Sequence, residues 1–166
     1  MPPTPRDIEV AKGFWRQACE DLRAARLLDA KGRKAPALVE IQHAFEKCVK
    51  SIMVLQLGDG GFHYRHQTLN DLSAICPVAF AWVDIKHLKN LRQLEAWLPR
   101  QGTRTAAGHT LHTDPNTEYP WSPLGGSVFA PADYFRRRRL EKFIGAVSDT
   151  LDSFSRQERL LPKPRK

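Results

Sequence analysis

Long apolar runs are missing from this 166-residue chain. Nothing approaches the roughly 18 consecutive apolar residues that a membrane span requires, and the proline-rich start MPPTPRD lacks the apolar segment of a secretory leader. Cysteine is scarce too. Cys19, Cys48 and Cys76 are odd in number and widely spaced, with no CxxC, which argues against a disulfide scaffold and for a reducing, cytoplasmic compartment. No internal repeat, Gly-rich phosphate loop, Ser/His/Asp order or paired-carboxylate constellation stands out, so kinase, triad-hydrolase and glycosidase chemistries have no support. Acids are outnumbered: 18 Asp and Glu face 26 Lys and Arg, a formal charge of +8 at a pI near 9.7, which suits a polyanionic partner. With 42% hydrophobic and 27% charged residues the chain is not a disordered polyelectrolyte, and its length suits one domain.

What is present is helical periodicity. From Asp7 to about Ala30, Ile8, Ala11, Trp15, Ala18, Leu22 and Ala25 recur at steps of three and four, while Glu9, Lys12, Arg16, Glu20, Arg23 and Arg26 fall off that stripe. A second stripe, Leu38, Ile41, Phe45, Cys48, Ile52 and Leu55, predicts a helix from near Pro36. Ala37, Ala44, Val49, Met53 and Val54 add apolar surface on its other sides, so it is expected to be the most central helix. Gly58, Gly60 and Gly61 end it.

Thr68 is placed to cap a short helix carrying Leu69, Leu72 and Ile75, closed by Pro77. A further helix is expected over roughly Phe80 to Leu98, and a last one from near Pro131 or Asp133 burying Leu140, Phe143, Val147, Leu151 and Phe154. Residues 100–130 show no regular period and hold three prolines and four glycines, as a functional lid or a mobile insertion would. The expected architecture is all-α: an up-and-down four-helix bundle with one additional short helix and a long irregular loop before the last helix. It forms a single domain over 1–166, with its core at about 7–156 and a flexible basic tail at 157–166.

The segments FWRQACEDLRAARLL, QHAFEKCVKSIMVLQLG, HQTLNDL and TEYPWS occur in that order. In order and spacing they resemble the HEPN domain family, the higher eukaryote and prokaryote nucleotide-binding helical domain, over about residues 11 to 154. Gln42, Ala44, Glu46, Lys47, Lys50, His66, Leu69, Leu72, Tyr119 and Pro120 carry the resemblance. It implies a five-helix bundle, a homodimer, association with nucleotide or RNA, and in some members a nucleotidyltransferase partner or ribonuclease activity. The expectation is therefore a nucleotide- or RNA-associated binding module without independent catalysis. The alternative is a metal-independent, toxin-like ribonuclease.

Ribonucleolytic members use an arginine, four to six residues, then a histidine, with two copies meeting across a dimer. An imidazole moves the proton and a fixed guanidinium stabilises the phosphorane. Arg104 and His109 in RTAAGH have that spacing, although Thr105 departs from the usual small polar residue after the arginine. Lys47 and Lys50 form either a cationic pair facing a phosphate or an ordinary paired helix face; Arg65 and His66 could extend the same surface. Arg136 to Arg139 are the densest charge, and residues 131–166 hold ten Lys and Arg against five acids. On a helix these four arginines would point in different directions, so Arg136, Arg137 and Arg139 are candidates for RNA contact and one or two of the four must face a partner helix, a second subunit or an acidic neighbour. Two HxxH pairs, His63 with His66 and His109 with His112, could join Asp114 around zinc only if their loops met, and solvated histidines are commoner. No metal site and no cofactor are expected. Tyr119, Pro120 and Trp121 are read as a loop anchor folded back onto the bundle, with base stacking as the lesser option.

Overall fold

The computed structural model describes residues 2–58, 69–98, 103–104, 110–123 and 126–164, with the backbone alone for residues 103, 104, 110 and 111. Thr68, the expected helix cap, lies outside them. Among the described residues the chain is all-α apart from one two-residue strand pairing, and its dominant feature is the hairpin of α1 (Pro5–Ala30) and α2 (Lys34–Leu57).

Helix α1 starts where local chemistry dictates. Thr4 accepts from the Asp7 backbone N–H at 3.1 Å while the Asp7 carboxylate accepts from Thr4 N at 2.8 Å, a reciprocal capping box, and Pro5 occupies the first turn. Its stripe is as expected: Ala11, Trp15, Ala18, Leu22 and Ala25 are buried. Gly32, at φ 71°, turns the chain in a conformation that costs any other residue, and α2 begins two residues later. Helix α2 is buried on nearly every side and ends at Gly58, where a Cβ would stand 3.6 Å from Asp7 Oδ1. The start of α1 and the end of α2 are therefore neighbours, so the hairpin is antiparallel.

Shorter elements pack around this pair: α3 (Leu69–Ile75), α4 (Pro77–Phe80), a single 3₁₀ turn (Ile85–His87), α5 (Leu88–Ala96), α6 (Pro131–Phe135) and α7 (Glu141–Gln157). The helix expected over Phe80 to Leu98 is thus broken into three pieces. Asp84 accepts from the Lys86 backbone N–H at 3.0 Å, and this local bond turns the chain and leaves Ile85 82% exposed in spite of its helical spacing. The last helix is also interrupted. Phe135 and Leu140 are both fully buried, yet five residues on a continuous helix would set them about 140° apart. A turn through Arg136 to Arg139 brings both to the core, so the arginines form a connector between α6 and α7 instead of surrounding a helix start.

Trp97, just beyond α5, joins these pieces, packing edge-on against Phe135 at 5.1 Å and Phe143 at 5.4 Å. Within the long irregular segment, β1 (Thr103–Arg104) pairs antiparallel with β2 (Thr110–Leu111). Trp121 bridges both His112 and Phe129. The segment after α7, expected as a flexible tail, instead returns to the core. Leu161 is buried, and Trp15 Nε1 donates to Pro162 O at 2.9 Å.

Glu95 on α5 accepts the backbone N–H of Leu69, the first residue of α3. Burial pushes its carboxyl up to about 7, with Asp71 adding to the rise while the Leu69 bond and Arg92 oppose it. Its ordinary value is 4.5, so the folded state holds this proton more tightly than the unfolded chain. The stabilisation is complete below pH 4.5 and is lost as pH rises through about 7. Because the group is partly solvated, the loss is about 1 to 2 kcal/mol instead of the full linkage value. Glu95→Gln, which keeps the acceptor oxygen, is expected to be the more stable protein at about pH 8 and to flatten the profile between pH 5 and 8. Denaturant melts at the two ends of that range check it; parallel profiles for the two proteins would refute it.

Candidate functional site

Two polar constellations survive the packing, one in the α1–α2 seam and one at the corner where the irregular segment meets α6. In the seam, Asp21 sits among the buried residues of α1 and is 5% exposed. Gln17, one turn earlier, donates to its Oδ1 at 2.7 Å, and Lys47 from α2 reaches its Oδ2 at 2.6 Å. Lys50 lies 2.5 Å from Glu46 Oε1, one turn back on the same helix, with both side chains mostly buried. The two lysines singled out as a phosphate-facing pair therefore each carry a carboxylate. Asp21, Glu40 and His43 also converge here, their ligating atoms within 4.8 Å of one another.

The corner is built from Gln42 outward. Gln42 is 4% exposed; its Nε2 donates to Leu94 O at 2.7 Å and its Oε1 accepts from Thr117 Oγ1 at 2.6 Å. Thr117 N donates to Trp97 O at 3.1 Å, and Asn116 Oδ1 accepts from the Glu118 and Tyr119 backbone N–H groups. This network fixes the TEYPW segment to α2 and to the end of α5. Trp121, 2% exposed, is the anchor expected of it, in ring contact with Phe129, Tyr134 and Phe135. Tyr119 differs: it is 47% exposed and lies flat on His112 with ring centres 4.9 Å apart. Phe129 and Tyr134 are also partly exposed.

Arg138 is exposed like its three neighbours, but its guanidinium lies over Trp97 at 5.4 Å and Tyr134 at 5.6 Å. Arg136, Arg137 and Arg139 are exposed, and among the described residues no carboxylate pairs with them. Three uncompensated guanidinium groups thus adjoin Tyr134 and the ring cluster around Trp121, the arrangement a single-stranded polyanion with stackable bases can exploit.

Arg65, His66 and His109 lie outside the described residues. Arg104 pairs through its backbone with Thr110, and its side chain is outside them. Sequence reasoning missed Asp21, Glu40 and His43 because they come from two helices. The available signal was Asp21 itself, a carboxylate three residues after Ala18 and four before Ala25, on a stripe otherwise apolar. Searches of protein-family models, of curated proteins and of solved structures found no match to this chain. Among the described residues no helix is long and apolar enough to cross a membrane.

Proposed function

We propose that the chain is a helical module of HEPN type that binds single-stranded RNA at the corner formed by Arg136, Arg137, Arg139, Tyr134 and Phe129. On this reading α1, α2, α5 and α7 supply the four helices of the bundle, and the chain acts as a homodimer that can dock a nucleotidyltransferase. The observation that carries it is the exposure of three arginines with no carboxylate partner among the described residues, set beside partly exposed aromatic rings on an anchored segment. Lys47 and Lys50 stay outside the contact surface because their charges are already answered by Asp21 and Glu46.

Each phosphate neutralised on a single strand steepens the dependence of log K on log salt by about 0.7. Anisotropy of a labelled oligouridylate should therefore show a slope for the parent protein that falls by about 2 when Arg136, Arg137 and Arg139 are all changed to alanine. Tyr134→Ala is expected to weaken binding by about tenfold while leaving the slope unchanged, because a stacked ring carries no charge. An unaltered slope in the triple variant would place the interface elsewhere. Cleavage of the probe, abolished by His109→Ala, would favour the ribonuclease alternative with Arg104 and His109.

A further inference from the structure

The seam between α1 and α2 holds a chemistry that RNA binding does not use. Glu40 and His43 stand three residues apart on α2, so they share one face of that helix, opposite Asp21 on α1. Their donor atoms and an Asp21 oxygen lie within 4.8 Å of one another. Both side chains are half-buried, and neither has a hydrogen-bond or ion-pair partner among the described residues. Two carboxylates thus meet here, and among the described residues the one cation that pairs with either of them, Lys47, is held on Asp21 Oδ2. Convergent donors with an unbalanced negative charge are what a small divalent cation relieves.

We propose that Asp21, Glu40 and His43 form a zinc site, with Lys47 as the group that competes with the ion for Asp21. Two carboxylate oxygens and one imidazole nitrogen match zinc's ligand preferences, whereas magnesium and calcium take oxygen sets. Three protein ligands leave a fourth position for water or for a donor from a bound molecule. Closing 4.8 Å to the shorter separations of a tetrahedron requires only side-chain rotation, because all three ligands stand on helices already packed together. Gln17, on the other oxygen of Asp21, orients that carboxylate and keeps it in the seam. The bound ion would tie α1 to α2 midway along the hairpin. The proposal does not depend on RNA binding, and its test reads metal alone.

Chelator-treated full chain titrated calorimetrically with Zn²⁺ is expected to bind one ion and to gain thermal stability; Co²⁺ should give the absorption of a tetrahedral site. Glu40→Gln and His43→Ala remove ligands that make no other protein bond, so the fold should survive, and each should weaken binding by about tenfold to a hundredfold. Lys47→Met should act in the opposite direction. It removes the competing ammonium, so affinity is expected to rise by about tenfold, with a larger zinc-induced gain in melting temperature than in the parent. Parent-like affinity in both ligand variants would assign the ion to other histidines and overturn the site. So would an absence of binding, or a Lys47→Met protein that binds no more tightly.

Discussion

Gln42→Leu is expected to lower the unfolding free energy by about 1 to 3 kcal/mol, because it removes two buried hydrogen bonds at once. The Leu94 carbonyl loses the donor at 2.7 Å and keeps only Trp97 N–H at 3.2 Å, and the Thr117 hydroxyl loses its acceptor at 2.6 Å and keeps only Trp97 O at 3.4 Å. Leucine nearly matches glutamine in volume, so the loss comes from the broken hydrogen bonds and not from a cavity. Thr117 N–H still donates to Trp97 O at 3.1 Å, so the segment stays attached. Thr117→Val alone should cost about 1 to 2 kcal/mol, and the double variant less than the sum, since each single change breaks the same bond. A denaturant series on the four proteins gives the coupling; strict additivity would show that the network is not a unit. For a domain of this size the Gln42→Leu change corresponds to a fall in melting temperature of roughly 3 to 10 °C.

Removal of residues 158–166 is expected to cost about 3 kcal/mol. Burying a leucine contributes about 2 kcal/mol, which is lost with Leu161. The remaining ~1 kcal/mol comes from uncovering Trp15, whose indole N–H donates to Pro162 O and whose ring is fully buried. Leu161→Ala in the full-length chain should reproduce most of the effect, while Lys163→Ala should be near neutral because that side chain is exposed. Melting temperatures of the three variants decide it. A truncated chain as stable as the parent would mean that the return of this segment contributes nothing.

Helices α1 and α2 were legible because Ala11, Trp15, Ala18, Leu22 and Ala25 on one, and Leu38, Ile41, Phe45, Cys48, Ile52 and Leu55 on the other, recur at steps of three and four, and Gly58 marks the end of α2; the Thr4 cap of α1 was not read. The elements near residues 80–98 were not. Val83, Ile85, Leu88 and Leu91 have helical spacing, but a single Asp84 side-chain bond to Lys86 N overrides it. The split of α6 from α7 was hidden for a related reason: periodicity counts apolar residues and does not register that Phe135 and Leu140 cannot both face inward on one helix. Leu161 and Pro162 were masked by basic neighbours typical of a frayed end.

At the corner, the expectation that one or two arginines must face a neighbour rested on a helix through Arg136 to Arg139, which the connector replaces. All four are exposed, and Arg138 alone lies over rings, those of Trp97 and Tyr134. The anchoring of Trp121 was readable from its place in TEYPWS, but its tie through Thr117 to Gln42 spans 75 residues and leaves no local trace. The same holds for Lys47 and Asp21, which are 26 residues apart. Spacing along the chain named the lysine, and only the packed hairpin names its partner.

The hairpin has a kinetic consequence. Three residues separate α1 from α2, so the largest interhelical contact in the molecule joins segments close in sequence and closes at small loop-entropy cost. Helix α7 must reach the same pair from far along the chain, and its docking carries the greater closure penalty. Chain entropy thus favours an order of assembly in which the hairpin forms first and serves as the template on which later elements settle.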